Sequence, residues 1–376
     1  MRICFTINCQ RTKDDFHHYD ELIKKGMFQG IEIFYPYNVS SEQRNLYNEE
    51  LDKIVKNEKL EVVLHLPHGL NNDLVNDNYQ INTDVIKRMK DAISYGVKYH
   101  AHKFTLHLGS SHKDKCERDK MISVVIGAVK DLCDYAKKYD SFIMIENMPR
   151  DCELGYGVKE MKYLLDTISK DKDNIKFIMD TGHSHVSSDP VERYIYDLSE
   201  YLYHIHFSDN NGLSDKHKAF HLGNIDFDKV FNALELKSYR ELHCLEIIFN
   251  DYTDLIKNHS DISFYNKYYE RWKERTLKVS YSLVARCNFN DDYPLEEYEF
   301  KLIDLIDQEF SPFKFFKKKE ISYNKIVSFS FDGLYPVITE IMNDTKISRV
   351  ASGVDVFIGA ADYDKDYLLA CHMKTN

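Results

Sequence analysis

Eight short apolar runs in the first two thirds of the chain restrict what it can fold into more than any other feature. They fall at 2–7, 30–35, 61–66, 103–108, 142–147, 175–180, 202–207 and 242–248. Most are dominated by Ile, Val, Leu and Phe, the composition of strands covered on both faces. Between them, stretches such as 41–57, 81–98, 117–139, 158–169 and 226–235 mix polar and apolar residues at the three-to-four spacing of a helix with one apolar face. Strands alternating with helices in this way predict an α/β protein, a closed parallel (β/α)8 barrel. The competing architecture is an open doubly wound sheet. No Gly-x-Gly-x-x-Gly follows any of the runs, so the dinucleotide site usual for that sheet is absent.

A barrel of about 250 residues leaves chain over. The pattern predicts a barrel over 1–258, a helical connector over 259–277 and a small α+β domain over 278–376. Strands are expected there near 278–287, 321–331, 345–357 and 366–373, with helices near 294–309 and 334–343. The run from Phe313 to Lys319 interleaves aromatics with lysines, a composition suited to single-stranded nucleic acid or an acidic partner. A solvated strand lead-in explains it more simply. In the third class of function this composition leaves open, the domain recruits a macromolecule and the barrel acts on it.

Composition narrows the setting. Apolar residues make up 43% of the chain, with 22 Phe and 27 Tyr, enough for a substantial core. No stretch approaches the roughly 18 apolar residues of a membrane span, and the N-terminus alternates like a strand rather than a signal peptide. The eight cysteines contain no Cys-x-x-Cys pair, so neither a disulfide framework nor a thiolate zinc site is indicated and a reducing cytoplasm is expected. A net charge of −11 counts against a polyanionic partner.

In a parallel barrel the active site lies at the C-terminal ends of the strands, so the polar residues there carry the functional information. The third run ends in His65, the fourth in His107, the fifth in Glu146 and the sixth in Asp180 with His183 just beyond. The seventh delivers His206, with Asp215 and His217 in its loop, and the eighth carries Glu246. A lone strand-end carboxylate often caps a helix, and a lone strand histidine is usually a satisfied core residue. Nine on one rim are harder to explain that way, because Glu146, Asp180 and Glu246 would be costly to bury without a cation. The nitrogen and oxygen donors suit zinc, manganese or iron rather than a thiolate-loving ion. His204 is read as a support for His206, and Asp209 as a support for a ligand or a loop cap. His68, His102, His185, His221 and His243 are read as structural or exposed.

The ordered series His-x-Pro, His-x-Gly, Glu-Asn, Asp-Thr-x-His, His-x-x-Asp, Asp-x-His and a final Glu resembles the xylose isomerase-like TIM-barrel superfamily over residues 1 to about 255. That superfamily holds sugar and sugar-phosphate isomerases and epimerases, and also abasic-site endonucleases of the endonuclease IV type (AP endonuclease family 2). The isomerase branch implies one divalent ion (Zn, Mn, Co or Mg) on Glu146, Asp180, His206 and Glu246, with Glu146 and Glu246 as the catalytic proton-transfer pair acting through an enediolate. The nuclease branch implies three zinc ions. His65, His107 and Glu146 would hold one, the isomerase set a second, and His183, Asp215 and His217 a third.

Three features favour a small sugar-like substrate. The 66–80 loop has no Lys or Arg to meet a phosphate backbone. Asn147-Met148-Pro149 after Glu146, and Gly182 before His183, resemble the small-molecule branch. One departure affects both branches: the family's Gly-x-Gly before Asn224 is here His221-Leu222-Gly223, which bears on the loop carrying Asp215 and His217.

Overall fold

The computed structural model describes residues 1–267 except 57–58, 70, 111–114, 188 and 250–251, and beyond these only five strands. The first eight strands are β1 (Arg2–Ile7), β2 (Gly30–Phe34), β3 (Glu61–His65), β4 (Lys103–Leu106), β5 (Phe142–Glu146), β6 (Ile175–Asp180), β7 (Leu202–Phe207) and β8 (Leu242–Leu245). All pair in parallel, each with the next, and β1 also pairs with β8 to close the barrel. Helices α1 (Lys13–Lys24), α2 (Ser41–Ile54), α3 (Thr83–Lys98), α4 (Lys115–Lys137), α5 (Val158–Ser169), α6 (Thr181–Val186), α7 (Val191–Leu198), α8 (Phe227–Leu236) and α9 (Tyr252–Phe264) alternate with them. The expected α/β barrel is the observed fold.

Local chemistry places the helix starts. The Thr12 hydroxyl accepts from the Asp15 amide while the Asp15 carboxylate accepts from the Thr12 amide, a reciprocal cap for α1. Ser40 and Asn82 cap α2 and α3 through their side-chain oxygens. Along α3, Val85, Ile86, Met89, Ala92, Ile93 and Gly96 are buried, three and four residues apart, so a single stripe faces the sheet.

The barrel interior is layered by chemistry. Cys4, Val63, Met144, Ile178, Leu242 and Cys244 form an apolar plug. At the N-terminal end, the buried Lys103 ammonium lies 2.8 Å from Glu61 and 2.7 Å from Glu241, and Arg2 also pairs with Glu61. At the C-terminal end the inward positions are imidazoles and carboxylates. Strand ends differ from the sequence expectation by up to three residues. β4 stops at Leu106 and β8 at Leu245, so His107 and Glu246 stand just past their strands rather than within them.

The chain separates into two compact units, Met1–Phe227 with Arg240–Asn266 and Asp228–Tyr239 with Lys267–Asn376. The second contains β9 (Val279–Arg286), β10 (Glu320–Ser322), β11 (Ile326–Gly333), β12 (Gly353–Ala360) and β13 (Leu369–Lys374). They make one antiparallel sheet in the order β10-β11-β9-β12-β13. The helices expected at 294–309 and 334–343, and the Phe313 to Lys319 run, lie outside the described residues. Among the described residues no helix is long and apolar enough to cross a membrane.

Candidate metal centre and active site

The nine rim residues gather into three adjoining groups. His65, His107 and Glu146 form one, Glu146, Asp180, His206 and Glu246 the next, and His183, Asp215 and His217 the last. Within each group one donor atom per residue lies within 4.8 Å of all the others. Glu146 belongs to two groups because its oxygens face opposite ways. Oε2 meets His107 Nε2 at 2.8 Å and His65 Nε2 at 3.5 Å, whereas Oε1 meets His206 Nδ1 at 3.3 Å.

Strand ends and short loops hold these groups in place. Asp180 ends β6 and at once caps α6, its Oδ1 accepting from the His183 amide at 2.6 Å. Asn147 locks β5 to β6: its carboxamide oxygen accepts from the Asp180 amide at 2.8 Å and its nitrogen donates to the Asp180 carbonyl and the Ser184 hydroxyl. Gly182 permits α6 to approach the end of β7, since a Cβ there would lie 2.4 Å from Ser208 Oγ.

The loop after β7 answers the question raised by the missing glycine. His221 takes the left-handed conformation with φ 65°, so the backbone turns where the superfamily pattern has glycine. Gly223 then passes against Asn210 and Asp209, where a Cβ would sit 2.1 Å from the Asn210 carbonyl oxygen. The buried Asp209 carboxylate accepts from the Gly223 amide at 2.9 Å and the Ile225 amide at 3.2 Å, while its backbone pairs with Lys218. The loop thus closed brings Asp215 Oδ2 to 3.2 Å from His183 Nε2 and 3.0 Å from His217 Nε2.

Electrostatics show what the centre demands. Burial opposes charge on Glu146, but His107 and His206 hold its carboxyl well below the usual carboxylate range. Burial likewise opposes charge on Glu246, and His206 and His217 bring it down to about 2. At Asp180 burial prevails and pushes the carboxyl up to about 7, because His183 and His217 are partly offset by Glu246 and Asp215.

The donors fit a divalent ion. Three buried carboxylate oxygens, Asp180 Oδ2, Asp215 Oδ1 and Glu246 Oε2, have no hydrogen-bond partner, although each belongs to a group that should be costly to leave unpaired. Glu246 Oε2 lies 2.8 Å from His206 Nδ1 without the alignment of a hydrogen bond. Two donors, each about 2.1 Å from a tetrahedral zinc, stand about 3.4 Å apart. The 3.0 to 3.5 Å separations of most facing donors resemble that spacing.

One buried residue of the site is not singled out by the sequence. Glu32, in the middle of β2, is fully buried and accepts from Thr105 Oγ1 at 2.8 Å, His204 Nε2 at 3.0 Å and His206 Nε2 at 2.6 Å. Strand alternation could have found it, since Ile31 and Ile33 claim one face of β2 and leave Glu32 the barrel interior. His68 is expected from the sequence to be structural or exposed. It is exposed, but its ring lies 4.6 Å from His65 and 4.9 Å from His107, at the mouth of the site. His204 does support His206, through Glu32, and Asp209 does cap the loop.

Three cations near the rim are engaged by the protein itself. Arg88 donates to the Asn71 carbonyl and the Asn72 side chain, Arg150 pairs with Glu153, and Lys218 donates to the Leu222 carbonyl.

Residues 21–261 match the family model described as xylose isomerase-like TIM barrel. An uncharacterised protein of Methanocaldococcus jannaschii is 27% identical over 154 residues, 39% of this chain and 58% of that protein. The chain spans about three-fifths of the length of the curated relatives it matches. Among solved structures, a D-tagatose 3-epimerase-like protein superposes with a TM-score of 0.60 at 20% identity, covering 73% of this chain and all of the other. An L-ribulose 3-epimerase does so with a TM-score of 0.58 at 16% identity, covering 73% and 97%. At these identities the likeness establishes the shared fold.

Proposed function

The chain belongs to the xylose isomerase-like TIM-barrel family, and on that premise we propose that it is a metal-dependent isomerase or epimerase of a sugar or sugar phosphate. The observation that carries this reading is the placement of the buried carboxylate of Glu146 and the partly exposed carboxylate of Glu246, which face the same nitrogen of His206 at 3.3 and 2.8 Å across the barrel mouth. In this reading one glutamate removes the proton from the carbon beside a ketose carbonyl, and the other returns a proton to the resulting enediolate. Glu146, Asp180, His206 and Glu246 would hold the ion. Zinc, manganese, cobalt or magnesium bound there supplies polarisation of the substrate's carbonyl and hydroxyl oxygens. Asp180 is fixed by Asn147 and α6, so the set is organised before substrate arrives. The engaged rim arginines and the epimerase names of the structural neighbours support a small sugar-like substrate.

A second reading is favoured by one specific observation, the presence of all three donor groups. A centre with three zinc ions would suit phosphodiester hydrolysis, and an abasic-site duplex would then be the substrate. Metal analysis of protein purified without added ions separates the two. One exchangeable ion per chain and turnover on a ketose panel are the expected result. Three tightly held zinc ions per chain, with cleavage of an abasic duplex and no ketose turnover, would overturn the first reading.

A further inference from the structure

Glu32 lies outside the nine rim residues, yet it touches the one imidazole that both catalytic glutamates face. β2, β4 and β7 are not neighbours in the barrel, so its bonds to Thr105, His204 and His206 cross the interior. A carboxylate that takes three donors is ionised and can only accept. Both imidazoles therefore present Nε2–H to the same oxygen, Oε2, while Thr105 donates to Oε1. In the neutral imidazole this leaves Nδ1 of His206 as the bare nitrogen available to an ion, and Nδ1 is the atom 3.3 Å from Glu146 and 2.8 Å from Glu246. The same logic accounts for His204, whose Nδ1 is buried without a hydrogen-bond partner. At 2.6 and 3.0 Å these contacts have hydrogen-bond lengths.

Resting on the proposed metal-dependent reading, we infer that Glu32 is a positioning residue: it fixes the tautomer and ring orientation of His206 so that Nδ1 serves as the metal donor. It touches neither substrate nor ion, and acts through His206. Carboxylates in that relation to a ligating histidine strengthen the ligand, and their loss weakens metal binding about 10- to 100-fold. Glu32 is thus the anchor of a chain Thr105–Glu32–His206 that reaches from the apolar plug to the reaction site.

The test is zinc affinity of stripped protein, measured by competition with a chromophoric chelator, together with the visible spectrum of the cobalt form. Glu32→Gln keeps the shape but loses the charge and is expected to weaken zinc about 10-fold. Glu32→Ala removes the acceptor and is expected to weaken it about 100-fold and to shift the cobalt bands. Thr105→Val is the structural control: it removes a bond to the same carboxylate without touching His206, so it should lower the melting temperature and leave zinc affinity within about twofold. Folded Glu32→Gln that binds zinc as wild type does, with an unchanged cobalt spectrum, would overturn the role of Glu32 while leaving the proposed reaction standing. Wild-type protein that binds no divalent ion would overturn both.

Discussion

His221 and Gly223 show how two backbone positions decide whether the outer donor group can form. A side chain in the left-handed region costs about 1 to 2 kcal/mol, and His221 bears this at φ 65°. Replacing it with glycine removes the strain but raises the entropy of the unfolded chain, so His221→Gly should stabilise by only about 0.5 kcal/mol. Gly223 has the opposite sensitivity. A methyl group there meets the Asn210 carbonyl and the Asp209 carboxylate, at 2.1 and 2.2 Å. Forcing it in should cost about 2 kcal/mol as overpacking, and the loop that carries Asp215 and His217 should open. Thermal unfolding of the two variants checks the pair. Equal melting temperatures for Gly223→Ala and wild type would refute the close approach. Both positions lay in a motif readable from sequence, but only the backbone angle shows that a histidine can stand in for the absent glycine.

At the level of strands, the N-terminal layer of the barrel sets a different problem from the mouth. Lys103 of β4 is buried between Glu61 of β3 and Glu241 beside β8, with the Tyr203 ring 4.1 Å from its ammonium. Burial works against its charge, but Glu61 and Glu241 raise its pKa above the usual lysine value. Burial also opposes charge on Glu61, yet Lys103 and Arg2 lower it below the usual carboxylate value. Because Glu61 is depressed, its contribution is present above the unfolded pKa of about 4.3 and is lost as pH falls through the lower folded value. The contribution of Lys103 runs the other way, complete below its unfolded pKa and lost only in strong alkali. Lys103→Met should therefore destabilise by about 2 kcal/mol near pH 7, discounted from the fully buried case because both glutamates are partly exposed. The gap to wild type should narrow below about pH 4, as Glu61 protonates. Urea midpoints at pH 7 and pH 3 measure it, and a gap of the same size at both would count against the ion-pair account. The strands themselves were legible because apolar runs and helical spacing are strong local signals. The last residues of β4 and β8 were not, because His107 and Glu246 continue the run in sequence beyond the last paired residues. Glu32 was hidden for a related reason: one acidic residue in a strand has no local signature, and its meaning comes from His206, 174 positions away.

Across the whole barrel, six of the eight strands and the loops after them deliver four carboxylates and five imidazoles to one mouth, above a plug of Cys, Val, Met, Ile and Leu. Hydrophobic packing alone does not favour such a layer. Burial of the carboxylates is opposed by desolvation at every position, and the orphaned oxygens of Asp180, Asp215 and Glu246 mark where the offset is incomplete. A divalent ion bound only by the folded state would supply the missing cation, and its binding energy would then become folding energy. At an ion concentration a thousandfold above Kd the gain is about 4 kcal/mol. For a barrel of this size each kcal/mol moves the melting temperature by about 2 to 4 °C. Chelation should therefore lower the melting temperature by about 10 °C, and restoring one divalent ion per chain should recover it. The variant Asp180→Asn should melt with little response to chelator, because the oxygen that most needs the ion has been neutralised and the donor set broken. Identical melting of metal-loaded and metal-free protein, with metal content verified, would mean that the mouth is held by imidazolium and carboxylate pairs alone.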